Sequence, residues 1–146
     1  MAENIEATLD LLVELWNSGN HEPLTQLYRE GAERSDPNLP QALRGPQQIG
    51  QYIAEVRTGF PDFKLEIDNR IVSGDQIAIE WTCTGTHTGV FQGIPATGRR
   101  INISGAGVSR VQNSQIIEER VYFDRHALFQ QLGVTPPTVE SVSAAR

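Results

Sequence analysis

A chain of 146 residues is long enough for one domain that buries about 68 to 70% of its unfolded surface, so its core needs no metal or disulfide support. Twelve Lys and Arg against eighteen Asp and Glu leave a net charge of -6 with no basic stripe, which argues against nucleic acid and anionic membranes as partners. The single cysteine, Cys83, excludes an internal disulfide and a zinc site built on thiolates, and fits a reducing compartment.

The opening MAENIEATLDLL carries acidic residues where a signal peptide carries basic ones, and no apolar run approaches the roughly 20 residues of a membrane span. The expectation is a cytoplasmic protein. Ile5, Leu9, Leu12, Val13 and Trp16 then recur at helical spacing until Asn17 to Asn20 stop the pattern. Leu24, Leu27 and Tyr28 mark a shorter second helix, followed by the irregular loop SDPNLP. Pro46 suits a first helical turn, and Ile49, Tyr52, Ile53, Val56 and Phe60 give the third helix its apolar face.

From Phe63 the period becomes two. Leu65, Ile67 and Ile71 alternate with charged residues up to a turn at Ser73 to Asp75. In QIAIEWTCTGTH, residues Ile77, Ile79, Trp81 and Cys83 point one way and Ala78, Glu80, Thr82 and Thr84 the other. Glycines and Pro95 make 88 to 99 an irregular excursion before a strand from Arg100 to Gln112. A turn at Asn113 to Gln115 leads into Ile116 to Phe123, and a last helix, Arg125 to Leu132, stops at Gly133. Helices first and strands later define an α+β protein in which three N-terminal helices cover a curved antiparallel sheet. One domain over 1–135 and a loosely ordered tail over 136–146 complete the outline.

His21, His87 and His126 lack metal-ligand spacing, and no phosphate loop, dinucleotide fingerprint or serine elbow occurs. Single carboxylates, aromatic residues and strand arginines remain, which suit proton transfer in a pocket.

ELWNSGN, FPDFKLEI, GTHTGVFQGIPATGRRI, and YFD followed by LFQQLG together resemble the SnoaL-like polyketide cyclases of the nuclear transport factor two-like superfamily. The resemblance spans residues 10–134. It implies a cone-shaped sheet over helices, the cystatin-like α+β roll, with a pocket on the concave face and assembly as a homodimer or homotetramer. It also implies ring closure by an intramolecular aldol reaction on an apolar carbonyl compound, without metal or cofactor. The residue matching the family's acid/base carboxylate is Asp124. Where many relatives carry a histidine ahead of an Asp-Pro pair, Ser35 precedes Asp36 and Pro37. The superfamily also holds isomerases, epoxide hydrolases, dehydratases and proteins with no known chemistry, so fold alone does not choose among them, and a non-catalytic small-molecule-binding protein is the alternative reading.

Asp124 directly precedes a helix, so it is either an N-cap alone or a cap that also serves the pocket. Alternation places it in phase with Tyr122, Arg120 and Glu118. Whether Arg110 joins that face depends on the turn. A two-residue Asn113–Ser114 loop sets Arg110 against Ile117, away from Asp124, whereas a bulged Gln112–Ser114 loop sets it against Ile116, on the side of Asp124. QNSQ lacks the Asn-Gly pair of the tighter turn, which favours the bulged form. Asp124 and Arg110 are the catalytic candidates. Trp16, Tyr52, Phe60, Trp81, His87, Phe91 and Tyr122 are the substrate-binding candidates, each also open to a plain core or structural role.

Overall fold

The computed structural model describes residues 4–136. Apart from Pro136, the expected loose tail lies outside the described residues.

Helix α1 (Ile5–Ser18) starts where the Asn4 side chain accepts the Ala7 N–H. Leu9, Leu12, Leu15 and Trp16 form its buried face. At its end, the Asn17 amide donates to the Leu65 carbonyl and accepts the Leu65 N–H, at 3.1 and 2.6 Å. The ELWNSGN stretch therefore fastens α1 to the edge of the sheet. Helix α2 is a single turn, Leu24–Leu27. Tyr28, read as helical from its spacing, instead opens strand β1 (Tyr28–Ser35), since its backbone pairs across the sheet with Ile116. A short β2 (Leu43–Arg44) and helix α3 (Gly45–Gly59) follow, with Pro46 in the first turn of α3 as expected.

Strands β3 (Lys64–Ser73), β4 (Gln76–Thr86), β5 (Arg100–Gln112) and β6 (Gln115–Phe123) form an antiparallel meander. The full order is β2-β1-β6-β5-β4-β3. β1 joins β6 in parallel, the one departure from the expected antiparallel sheet, with Arg34 opposite Glu119. Helix α4 (Arg125–Leu132) ends at Gly133, whose φ of 72° is the left-handed stop the sequence called for. The fold is thus α+β with a curved six-stranded sheet, and α1 and α3 pack on one face.

The β5–β6 hairpin settles the directions of the candidate side chains. Asn113 and Ser114 both take positive φ, 52° and 62°, and Gln112 pairs with Gln115. The turn is the tight two-residue form. The bulge lies one step further on: Val111 faces Ile116 and Arg110 faces Glu118, leaving Ile117 unpaired. This extra residue reverses the phase of β6. Ile116 is buried inward, and beyond it Glu119 and Val121 are the buried positions while Tyr122 is 49% exposed. The face shared by Glu118, Arg120 and Tyr122 is therefore the outer one.

Candidate functional site

Between sheet and helices lies a cavity of about 110 Å³. Its wall is mostly apolar, with Leu12 and Trp16 from α1, Tyr52 and Val56 from α3, and Ile79, Trp81 and Cys83 from β4. The β4 residues are those that alternation set on one face. Gly105 and Gly107 on β5 create room. A Cβ at Gly105 would stand 2.3 Å from Trp81 Cζ2 and 2.7 Å from the Tyr122 carbonyl oxygen, so the indole lies where a side chain would be. Gly107 itself lines the cavity, where a Cβ would keep ordinary contact distances.

Arg34 and Glu119 are the charged residues of the wall among those described. They are 6% and 5% exposed, and their parallel-strand register puts them side by side. Arg34 Nε lies 3.1 Å from Glu119 Oε1, and the Tyr28 hydroxyl donates to the same oxygen at 2.8 Å. Burial, followed by the Glu119 charge, pushes the Tyr28 phenol well above its usual range, so it remains a donor. Burial opposes the Arg34 charge, yet Glu119, Tyr52, Tyr28 and Asp36 together raise its pKa. Its guanidinium carbon sits 4.9 Å from the Tyr52 ring centroid and 5.7 Å from that of Trp16. Burial pushes the Cys83 thiol up to about 12, which keeps it protonated in the apolar wall.

Trp16, Tyr52, Phe60, Trp81 and Phe91 all line this cavity. Tyr122, His87, Arg110 and Asp124 do not. Asp124 is exposed, and its carboxylate accepts the Ala127 N–H at 3.1 Å as the cap of α4. It follows the phase of Tyr122 on the outer side, which corrects the expectation that this face looks into the pocket. Arg110 does share that side through its pairing with Glu118, but there its Nη1 lies 3.8 Å from Asp75 in a half-exposed ion pair. His87 is fully buried behind the wall, stacked on Phe60 at 5.2 Å, with Nδ1 accepting the Thr97 N–H at 3.2 Å. Desolvation lowers its pKa, which favours a neutral structural imidazole. Asp124→Ala is expected to cost about 0.5 to 2 kcal/mol in urea denaturation through loss of the cap.

Sequence reasoning missed Arg34, Glu119, Tyr28 and Gly107. The usable signal was the pair Val121 and Phe123: both are apolar, and both share parity with Glu119.

Among the described residues, no group of three or more His, Cys, Asp or Glu is arranged to hold a metal, and no helix is long and apolar enough to cross a membrane. Residues 6–132 match the SnoaL-like polyketide cyclase family. The chain belongs to that family. Two relatives from Streptomyces, the aklanonic acid methyl ester cyclases DnrD of S. peucetius and DauD of strain C5, are each 26% identical over 135 residues. These alignments cover 88% of this chain and 90% and 81% of the relatives. TsrD from Streptomyces laurentii shares the fold at 20% identity with a TM-score of 0.81, covering 92% of this SnoaL-like chain and all of the other. IdmH from S. antibioticus, at 26% identity, superposes with a TM-score of 0.79 over 90% of this chain and all of that one.

Proposed function

We propose that this SnoaL-like protein takes an apolar carbonyl compound into the cavity and performs cofactor-free acid/base chemistry of the intramolecular aldol type on it. The observation that carries this reading is the cavity wall: apolar on most sides, with the Glu119 carboxylate at its polar end. A carboxylate there can take the proton next to a carbonyl. The resulting enolate attacks a second carbonyl of the same molecule, whose C=O π bond opens to an alkoxide as the ring closes, and the proton held by the carboxylate returns to that oxygen. Glu119 thus assumes the proton-transfer role first assigned to Asp124, which lies outside the wall.

Aklanonic acid methyl ester, the compound in the names of both curated relatives, is the first substrate to try. Ring closure followed by chromatography should slow by about 100-fold or more in Glu119→Gln, the usual range for loss of an acid/base group. It should persist in Asp124→Asn. Full turnover by a folded Glu119→Gln protein would exclude the carboxylate's role. Gly107→Leu, which fills the cavity, should abolish turnover without unfolding the chain.

One observation favours a second reading, a non-catalytic binding protein: Tyr28 and Arg34 both already engage Glu119 Oε1. Under that reading the ester binds to wild type and Glu119→Gln alike, and neither protein converts it.

A further inference from the structure

We propose that Arg34 anchors the ligand by donating to a neutral carbonyl oxygen, a specificity that rests on the reading of the cavity as a site for an apolar carbonyl compound. Arg34 is 6% exposed and lines the cavity, yet neither its Nε nor its Nη1 has a hydrogen-bond partner among the described residues. The contact with Glu119 does not change this. At 3.1 Å the two are an ion pair, but the Nε–H is not aligned on Oε1 as a hydrogen bond. Buried donors without acceptors are rare because the desolvation cost is uncompensated, and two such donors in a cavity wall are placed to bond an acceptor that a ligand brings.

Charge selects the kind of acceptor. The guanidinium is already balanced by Glu119 at contact distance, and the buried Asp36 acts on it as well. A ligand carboxylate would add a further negative charge to a low-dielectric site that holds no matching cation. A ketone or ester oxygen needs only the donors. The rings of Tyr52 and Trp16 flank the guanidinium, so an apolar skeleton packs beside the group that binds its oxygen. Should Glu119 take the α-proton, its own charge is lost, and the enolate oxygen gaining that charge lies against the guanidinium it leaves unbalanced, so the net charge of the site is unchanged and enolate formation costs less.

Three probes of similar size test this on the full chain by ligand-observed NMR titration: acetophenone, ethylbenzene and phenylacetate. Wild type should bind acetophenone at least tenfold more tightly than ethylbenzene, and phenylacetate more weakly than acetophenone. In Arg34→Met/Glu119→Gln, which removes both charges together, the preference for acetophenone should vanish while ethylbenzene still binds. Arg34→Lys, which keeps a cation but loses the Nε–H, is the second variant and should lose most of the preference. An unchanged preference in either folded variant overturns the anchor. So do equal affinities for acetophenone and ethylbenzene in wild type, which leave the apolar cavity reading standing. Tighter binding of phenylacetate replaces the neutral carbonyl with an anion and overturns the assignment. If none of the three binds, the cavity reading falls and the anchor with it.

Discussion

Arg34→Met alone is expected to destabilise the protein by about 3 to 5 kcal/mol, the usual cost of breaking a buried ion pair from one side. Methionine matches much of the arginine's volume, so packing loss is not the main cause. The cause is Glu119, which is 5% exposed and would face an apolar cavity with the Tyr28 hydroxyl as its remaining side-chain partner among the described residues. Exchanging both residues, in Arg34→Met/Glu119→Gln, should recover most of the loss, because no uncompensated charge remains. Urea denaturation of the two single variants and the double one gives the coupling between them. A loss below about 1 kcal/mol for Arg34→Met would place the pair among solvated surface bridges and remove the basis for a low-dielectric site.

Phe60→Ala is expected to be of similar severity, about 3 to 5 kcal/mol, for a different reason. Phe60 is 1% exposed at the end of α3, where it meets Phe91 edge-on at 5.3 Å and stacks on His87 at 5.2 Å. Its backbone is used as well: the Phe60 carbonyl accepts from Phe63 as the chain enters β3. The ring joins α3 to the excursion between β4 and β5, and its removal leaves a void that His87 and Phe91 cannot both fill. Thermal unfolding should show the loss. Trp fluorescence should shift too, since Trp16 and Trp81 share the same cavity wall.

Much of this architecture was legible because it depends on local pattern. The apolar face of α3, the strict alternation of β4 and the Gly133 stop follow from spacing and backbone preference, and tertiary contacts only confirm them. The aromatic wall was legible for the same reason: Trp16, Tyr52, Phe60 and Trp81 lie on faces that had to be buried. The polar end of the cavity was not. Arg34 sits in β1, whose YREGAERS has no clear period and contains a glycine with φ of 81°, so nothing local marks a strand or an inward arginine. Glu119 was hidden by Ile117, since counting by twos from Ile116 gives the wrong side once an unpaired residue intervenes. The missing Asn-Gly pair, taken as a sign of a wider loop, did not prevent the tight turn, because Asn113 and Ser114 both adopt positive φ within a well-paired hairpin.

The parallel joining of β1 to β6 also bears on the order of folding. Strands β3 to β6 pair in chain order, through tight turns at β3–β4 and β5–β6 and the 87–99 excursion between β4 and β5, whereas Tyr28 and Glu119, which share a hydrogen bond, are 91 residues apart. Contacts that close long loops form slowly, so the meander is expected to assemble first and β1 to dock late. Until then Glu119 remains hydrated. A β1 displaced by one residue would set Glu33 or Ser35 against Glu119 in place of Arg34, and would desolvate a carboxylate without a cation. The ion pair is thereby expected to disfavour a slipped register of the strand that docks last. Arg34→Met alone should leave the folding rate nearly unchanged and place its loss in the unfolding arm of the chevron.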